Sequence, residues 1–214
     1  MGGALVVFEG PEGSGKSTQL RRLADRLRQQ GFDVVATREP GGTAIGELIR
    51  SILLTREGDA MLPATEALLY AGARAQHVGQ LIEPALLRGS IVLCDRFVDS
   101  SLAYQSGGMG LPITDVLALQ HLATRGVKPD LRVLLDLPVE VGLARRLGAP
   151  DEVNRPDLAD VAFHKRVRST YLALAAATSD RWMVVDATAT PDQVEAVIAE
   201  AVDRLLVEVG GSGR

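Results

Sequence analysis

The chain has 214 residues, 46% of them hydrophobic, with 23 basic and 27 acidic side chains and a formal net charge of −4. That length suits one domain with a sizeable core, and aromatics at only 4% make the core aliphatic. The acidic balance argues against an extended nucleic-acid surface, and no run of about 18 apolar residues offers a membrane span.

The first expected strand, 4–9, starts almost at the N-terminus and leaves no room for a signal peptide. It ends at Glu9 and gives way to "GPEGSGKST". Gly10, Gly15, Lys16 and Ser17 fill every fixed position of G-x-x-x-x-G-K-[ST], with Pro11, Glu12, Gly13 and Ser14 between them and Thr18 after. Backbone N–H groups of such a loop converge on an anion, and the following helix adds its positive end. Lys16 brings a compact mobile charge for outer phosphates, and the Ser17 hydroxyl can join the shell of Mg²⁺. Leu20, Leu23, Ala24 and Leu27 then recur at helical spacing as far as Gly31, which supplies the context that the motif needs.

Further strands are expected at 33–37, 91–95, 131–137 and 182–186. Helical patterns lie at 17–30, 44–55, 64–88, 113–124, 139–147, 158–178 and 191–208. Nearly continuous apolar strands such as "IVLCD" suit a parallel sheet buried on both faces. The alternation predicts a doubly wound α/β fold: a five-stranded parallel sheet with helices on both faces, ligands outside the carboxyl ends of the strands, and a short mobile lid. One domain over 1–209 is expected, with the lid at about 145–160 and a disordered tail at 210–214.

Chemistry clusters where that rule puts it. "REPGGT", Arg38 to Thr43, follows the second strand, and "RFVDSSLAYQ", Arg96 to Gln105, follows the third. Asp95 ends four apolar residues, the pattern of a carboxylate that helps hold Mg²⁺ beside a phosphate loop; a turn or helix-capping aspartate is the plainer alternative. Arg96 next to it, with Arg38 and Arg74, suggests a second phosphorylated substrate. Arg74 sits in the apolar "LLYAGARAQ", where it either faces solvent or is buried with a partner. Cys94 cannot form an internal disulfide, which fits a cytoplasmic location, and its apolar neighbours mark it as a core residue. After the fourth strand, positions 145–168 hold six basic against four acidic side chains.

In order, "FEGPEGSGKST", "TREPGGT", "ALLYAGARAQH", "DRFVDSSLAYQ", "KPDLRVLLDLP" and "RVRSTYLAL" resemble the thymidylate kinases, P-loop nucleoside monophosphate kinases, over roughly residues 4 to 206. The resemblance implies transfer of the γ-phosphoryl group of ATP to dTMP with Mg²⁺, usually by a homodimer, with no nucleic-acid or membrane partner. It implies ATP binding by Gly10–Thr18 and metal binding by Ser17 and Asp95. Arg38 and Arg96 would hold the dTMP phosphate, with Glu39, Pro40 and Ser101 beside them. Tyr70 stands where the family usually stacks phenylalanine on thymine, and Arg74 would bond a thymine carbonyl. Gln105 would assist if it turned inward. Tyr104 would crowd a ribose 2′-OH, and Glu12 would lie near the acceptor's sugar and phosphate. The phosphate loop carries no arginine, so the resemblance assigns that charge to the lid. Arg155, sixteen residues before Tyr171, is the expected lid arginine. Asn154-Arg155-Pro156-Asp157 departs from the usual Asp-Arg-x-Glu, and Asp157 is expected to cap the next helix. Arg145 and Arg146 stay open between the nucleotide and a solvated face. Competing readings are a kinase of another nucleoside or monophosphate, an NTP-hydrolysing switch, and a nucleotide sensor without turnover.

Overall fold

The computed structural model describes residues 2–55, 61–148, 154–177 and 181–211. Five parallel strands form one sheet in the order β2-β3-β1-β4-β5: β1 (Ala4–Glu9), β2 (Val34–Arg38), β3 (Ile91–Asp95), β4 (Leu131–Asp136) and β5 (Trp182–Asp186). β1 lies at the centre, fully buried, and pairs with β3 on one side and β4 on the other. Strand order reverses there, so the crevice beyond its carboxyl end is the natural ligand position. The register brings Phe8 and Arg38 both level with Asp95.

Alternation along β1 divides the core. Val6 and Phe8 pack with Leu20, Leu23 and Leu27 of α1 (Lys16–Gln29) and with Val194, Ile198 and Val202 of α9 (Pro191–Gly211). Leu5 and Val7 face Val78, Ile82 and Ala85 on the other side. Leu134 of β4 meets Val167, Tyr171 and Ala175 of α8 (Val161–Ala177), together with Tyr104. Each such aliphatic side chain contributes about 1.5–3 kcal/mol on burial, so the sheet holds the loops at its edge rigidly.

The expected helices are α1, α2 (Ala44–Leu54), α6 (Ile113–Thr124), α7 (Val139–Leu147), α8 and α9. Three differences have local causes. The stretch expected as one helix over 64–88 is α3 (Pro63–His77), a wider π-type turn over Val78–Ile82, and α4 (Glu83–Leu87) with Pro84 near its start. "RFVDSSLAYQ", which lies outside the expected helices, is α5 (Val98–Ser101) continued by a π-type turn over Leu102–Gly108. Its polar faces hide the helical period, because they point into the crevice. Finally, α8 starts at Val161, and Asp160 accepts the Phe163 N–H at 2.6 Å; Asp157 does not cap it and instead closes a 3₁₀ turn over Arg155–Leu158. Within the expected lid, 149–153 lie outside the described residues, as do 212–214 of the tail; α9 runs on to Gly211.

Candidate active site

A cleft of about 720 Å³ opens at the carboxyl ends of the strands. Every residue expected to bind or react lines it, except Gly10, Pro11 and Arg155. At one end lies the loop from Gly10 to Thr18. Gly10 (φ 142) and Gly13 (φ 68) hold left-handed backbone that only glycine adopts cheaply. A Cβ on Gly13 would strike Gly142 of α7, and one on Gly142 would strike the Glu12 carbonyl. The loop therefore rests directly on α7 through two glycines.

Lys16 is buried and curls back, donating to the Gly10 carbonyl at 3.0 Å, the Pro11 carbonyl at 2.9 Å and the Ser14 hydroxyl at 3.2 Å. Burial, then the charge of Arg96, pushes its ammonium down to about 8 against the pull of Glu12, Asp95 and Glu9. Ser17 donates to Asp95 at 2.5 Å, which places a hydroxyl and a carboxylate oxygen side by side. Such hard oxygen donors fit Mg²⁺.

Arg96 is the hub of the cleft. Its backbone is left-handed (φ 72), an uncommon conformation for a non-glycine residue. One guanidinium nitrogen donates to Glu12 at 2.7 Å and Tyr104 at 3.2 Å; the other reaches the Gly10 carbonyl, Ser100 and Tyr171 at 3.2–3.3 Å. Burial pushes the Glu12 carboxyl up, but Arg96, Lys16, the Tyr104 hydrogen bond and Arg146 outweigh it and hold Glu12 at about 2. Tyr104 also donates to Glu12 at 2.8 Å, and burial raises its hydroxyl well above the usual tyrosine range. Beneath this group lies Glu9, wholly buried at the end of β1. It accepts from Phe97 N at 2.9 Å, the Ser100 hydroxyl at 2.6 Å and Tyr171 at 3.0 Å. Burial, then Asp99, pushes its carboxyl up to about 7.

At the other end, one face of α3 presents Glu66, Tyr70 and Arg74 at i, i+4 and i+8. Arg74 is buried, as one of the two readings required. Its guanidinium donates to Glu39 at 2.6 Å, Ser101 at 2.8 Å, the Phe97 carbonyl at 2.7 Å and Gln120. The other Glu39 oxygen faces His77 Nδ1 at 2.9 Å, so Glu39 holds up the site wall that it lines. The adjoining Glu39–Pro40 peptide is cis. Arg38 is half exposed and forks onto Glu47 at 3.0 and 3.1 Å. Gln105 does turn inward, donating to Glu66 at 3.1 Å.

The arginines of the expected lid separate. Arg155 pairs with Glu66 and donates to the Leu53 carbonyl at 3.2 Å, at the Tyr70 end of the cleft. Arg145 and Arg146 both line the cleft: Arg146 lies near Glu12 with its Nε on Asp157 at 3.0 Å, and Arg145 donates to the Ala187 carbonyl at 2.9 Å. Sequence reasoning missed Glu66, Glu9, Ser100 and Arg50; Arg50 bonds the Pro40 carbonyl at 2.8 Å. The detectable signals were an acid ending a wholly apolar strand and an acid two helical turns before Arg74. Cys94 is buried in the core as expected, and burial pushes its thiol well up.

A central phosphate loop, an acid–hydroxyl pair beside it and a second, arginine-lined end to the same cleft define a P-loop kinase of the nucleoside monophosphate type. Residues 8–198 match the family model described as thymidylate kinase. The chain is 53% identical over 210 residues to the thymidylate kinase of Thermomicrobium roseum, covering 98% of this chain and 97% of that one. It is 47% identical to that of Pseudomonas fluorescens, covering 96% of each. The crystal structure of the Ehrlichia chaffeensis thymidylate kinase superposes with a TM-score of 0.77 at 29% identity, over 94% of this chain and 99% of that one. The chain belongs to the thymidylate kinase family and is a phosphotransferase.

Proposed function

We propose that this enzyme transfers the γ-phosphoryl group of ATP to dTMP, giving dTDP and ADP. The observation that carries the reading is the shared cleft. Lys16 of the phosphate loop and Arg96 of the acceptor end line the same cleft, close enough that the Arg96 charge helps push the Lys16 ammonium down.

An acceptor phosphate is already a nucleophile, so the chain's task is positioning and cancelling repulsion between two anions. Loop N–H groups and Lys16 hold the donor, with Gly10–Thr18 as its cradle. Arg96 and Arg38 hold the acceptor phosphate; Tyr70 stacks on the base and Arg74 donates to its carbonyl. Glu12 orients Arg96 and Tyr104, and Tyr104 fills the space of a ribose 2′-OH. Arg146 adds charge from the α7 side, and Arg155 is the lid arginine that reaches the phosphoryl group when it leaves Glu66. Ser17 and Asp95 would hold Mg²⁺, which when bound supplies positive charge to the donor phosphates.

Among the described residues no helix is long and apolar enough to cross a membrane. The single cysteine, Cys94, buried with a free thiol, fits a cytoplasmic enzyme. Leu48 of α2, Leu68 of α3 and Leu117 of α6 are each 45% exposed or more, which supports a homodimer. The test is an acceptor survey: ATP, Mg²⁺ and each nucleoside monophosphate in turn. dTMP is expected to give the highest kcat/KM; another best acceptor overturns the base-site assignment.

A further inference from the structure

Glu66 enters the assignment above only as the resting partner of Arg155, yet its carboxylate is buried at the acceptor end and joined to two elements. One oxygen accepts from the Gln105 side-chain amide and the other from Arg155. An ionised carboxylate has no proton to give, so it accepts only the NH₂ end of Gln105. That fixes the amide's orientation, which a glutamine otherwise leaves open. The Gln105 carbonyl is then buried without a partner, in a side chain that lines the cleft. A buried acceptor in that state calls for a donor from a ligand.

We propose that Glu66 is the positioning residue that sets which base edge the acceptor site reads, by locking the Gln105 carbonyl toward the cleft. This rests on the dTMP reading above and adds its source of base selectivity. Arg74, two turns further along α3, offers the complementary group. Four hydrogen bonds engage its guanidinium, which has five N–H donors. A donor beside an acceptor matches the imide edge of a thymine or uracil, where C=O adjoins N–H. The edge of cytosine is reversed, and would set its ring acceptor against the Gln105 carbonyl and its amino group against Arg74.

The test compares dTMP with 5-methyl-dCMP, which keeps the methyl group, sugar and phosphate and changes only that edge. If the wild-type enzyme does not prefer dTMP, the functional reading fails, whatever Glu66 does. Given that preference, Glu66→Gln lets the amides turn over together and Glu66→Met removes the acceptor. Each is expected to lower the ratio of the two kcat/KM values by at least about tenfold, mostly through KM. Glu66→Asp, still accepting only, keeps the ratio even if binding weakens. Arg155→Met removes the other partner of Glu66 and is expected to slow both acceptors alike, leaving the ratio within about threefold. Thermal melts establish which variants are folded. Unchanged ratios in folded Glu66→Gln and Glu66→Met overturn the proposal, and so does a collapse of the ratio in Arg155→Met. The wild-type enzyme gives a check free of folding effects: N3-methyl-dTMP, which lacks the imide N–H, is expected to be a poor acceptor. If it works as well as dTMP while dTMP remains the preferred natural acceptor, the Gln105 carbonyl reads nothing and the proposal falls.

Discussion

Arg96 donates to Glu12 across 2.7 Å, binding the end of β3 to the variable part of the phosphate loop. Both side chains are only 16% exposed, so the pair ties the phosphate loop to the arginine-lined end of the cleft in a poorly solvated place. Arg96→Lys keeps the charge but loses the fork that also reaches Tyr104 and Tyr171. With charged hydrogen bonds worth about 1.5–3 kcal/mol each, kcat/KM for dTMP is expected to fall about a hundredfold. Steady-state kinetics with dTMP varied checks this. An unchanged value removes Arg96 from the acceptor site.

Gly142 lies inside α7, where alanine would favour the helix by about 1 kcal/mol. Contact with the Glu12 carbonyl reverses the sign. Gly142→Ala is expected to destabilise the fold by about 1–3 kcal/mol, as overpacking does, and to raise KM for ATP. Urea unfolding and ATP kinetics measure both; a more stable variant with normal KM shows that α7 does not carry the loop.

Glu9 makes stability depend on pH. Its folded carboxyl is raised from 4.5 to about 7, so the folded chain keeps a proton that the unfolded chain releases. Its contribution is fully present below pH 4.5 and lost as pH rises through about 7. Glu9→Gln abolishes that loss. The stability of the wild type relative to the variant is expected to drop by roughly 2–3 kcal/mol between about pH 5 and pH 8. A difference independent of pH contradicts the assignment.

The proposed roles of Arg155 and Arg146 are separable. Arg155→Ala is expected to lower kcat about a hundredfold with ATP affinity retained, the behaviour of a group used mainly in the transition state. If kcat holds and only KM for dTMP rises, Arg155 merely ties the lid to Glu66. Arg146→Ala, made alongside, then shows whether the charge near Glu12 carries the transfer.

Much of the site was legible because phosphate chemistry constrains local sequence: glycines where backbone N–H groups converge, Lys16 and Ser17 at fixed spacing, and charged residues just past buried strands such as "IVLCD". What stayed hidden depends on tertiary approach. Asp157 reads as a helix cap but reaches Arg146 and the Asn154 N–H, because the 3₁₀ turn brings them together. Arg155 had the spacing of a lid arginine, and nothing in its neighbours announced Glu66, 89 positions away. The helix after Arg96 escaped notice because Tyr104 and Gln105 face the cleft in a π-type turn, which breaks the 3.6-residue period.

The central step is direct passage of one phosphoryl group between two bound nucleotides. A rapid-quench experiment with γ-labelled ATP, Mg²⁺ and dTMP follows that group in a single turnover. All label is expected on the terminal phosphate of dTDP, appearing as fast as ATP is lost. Label released as inorganic phosphate at a rate indifferent to dTMP would contradict it.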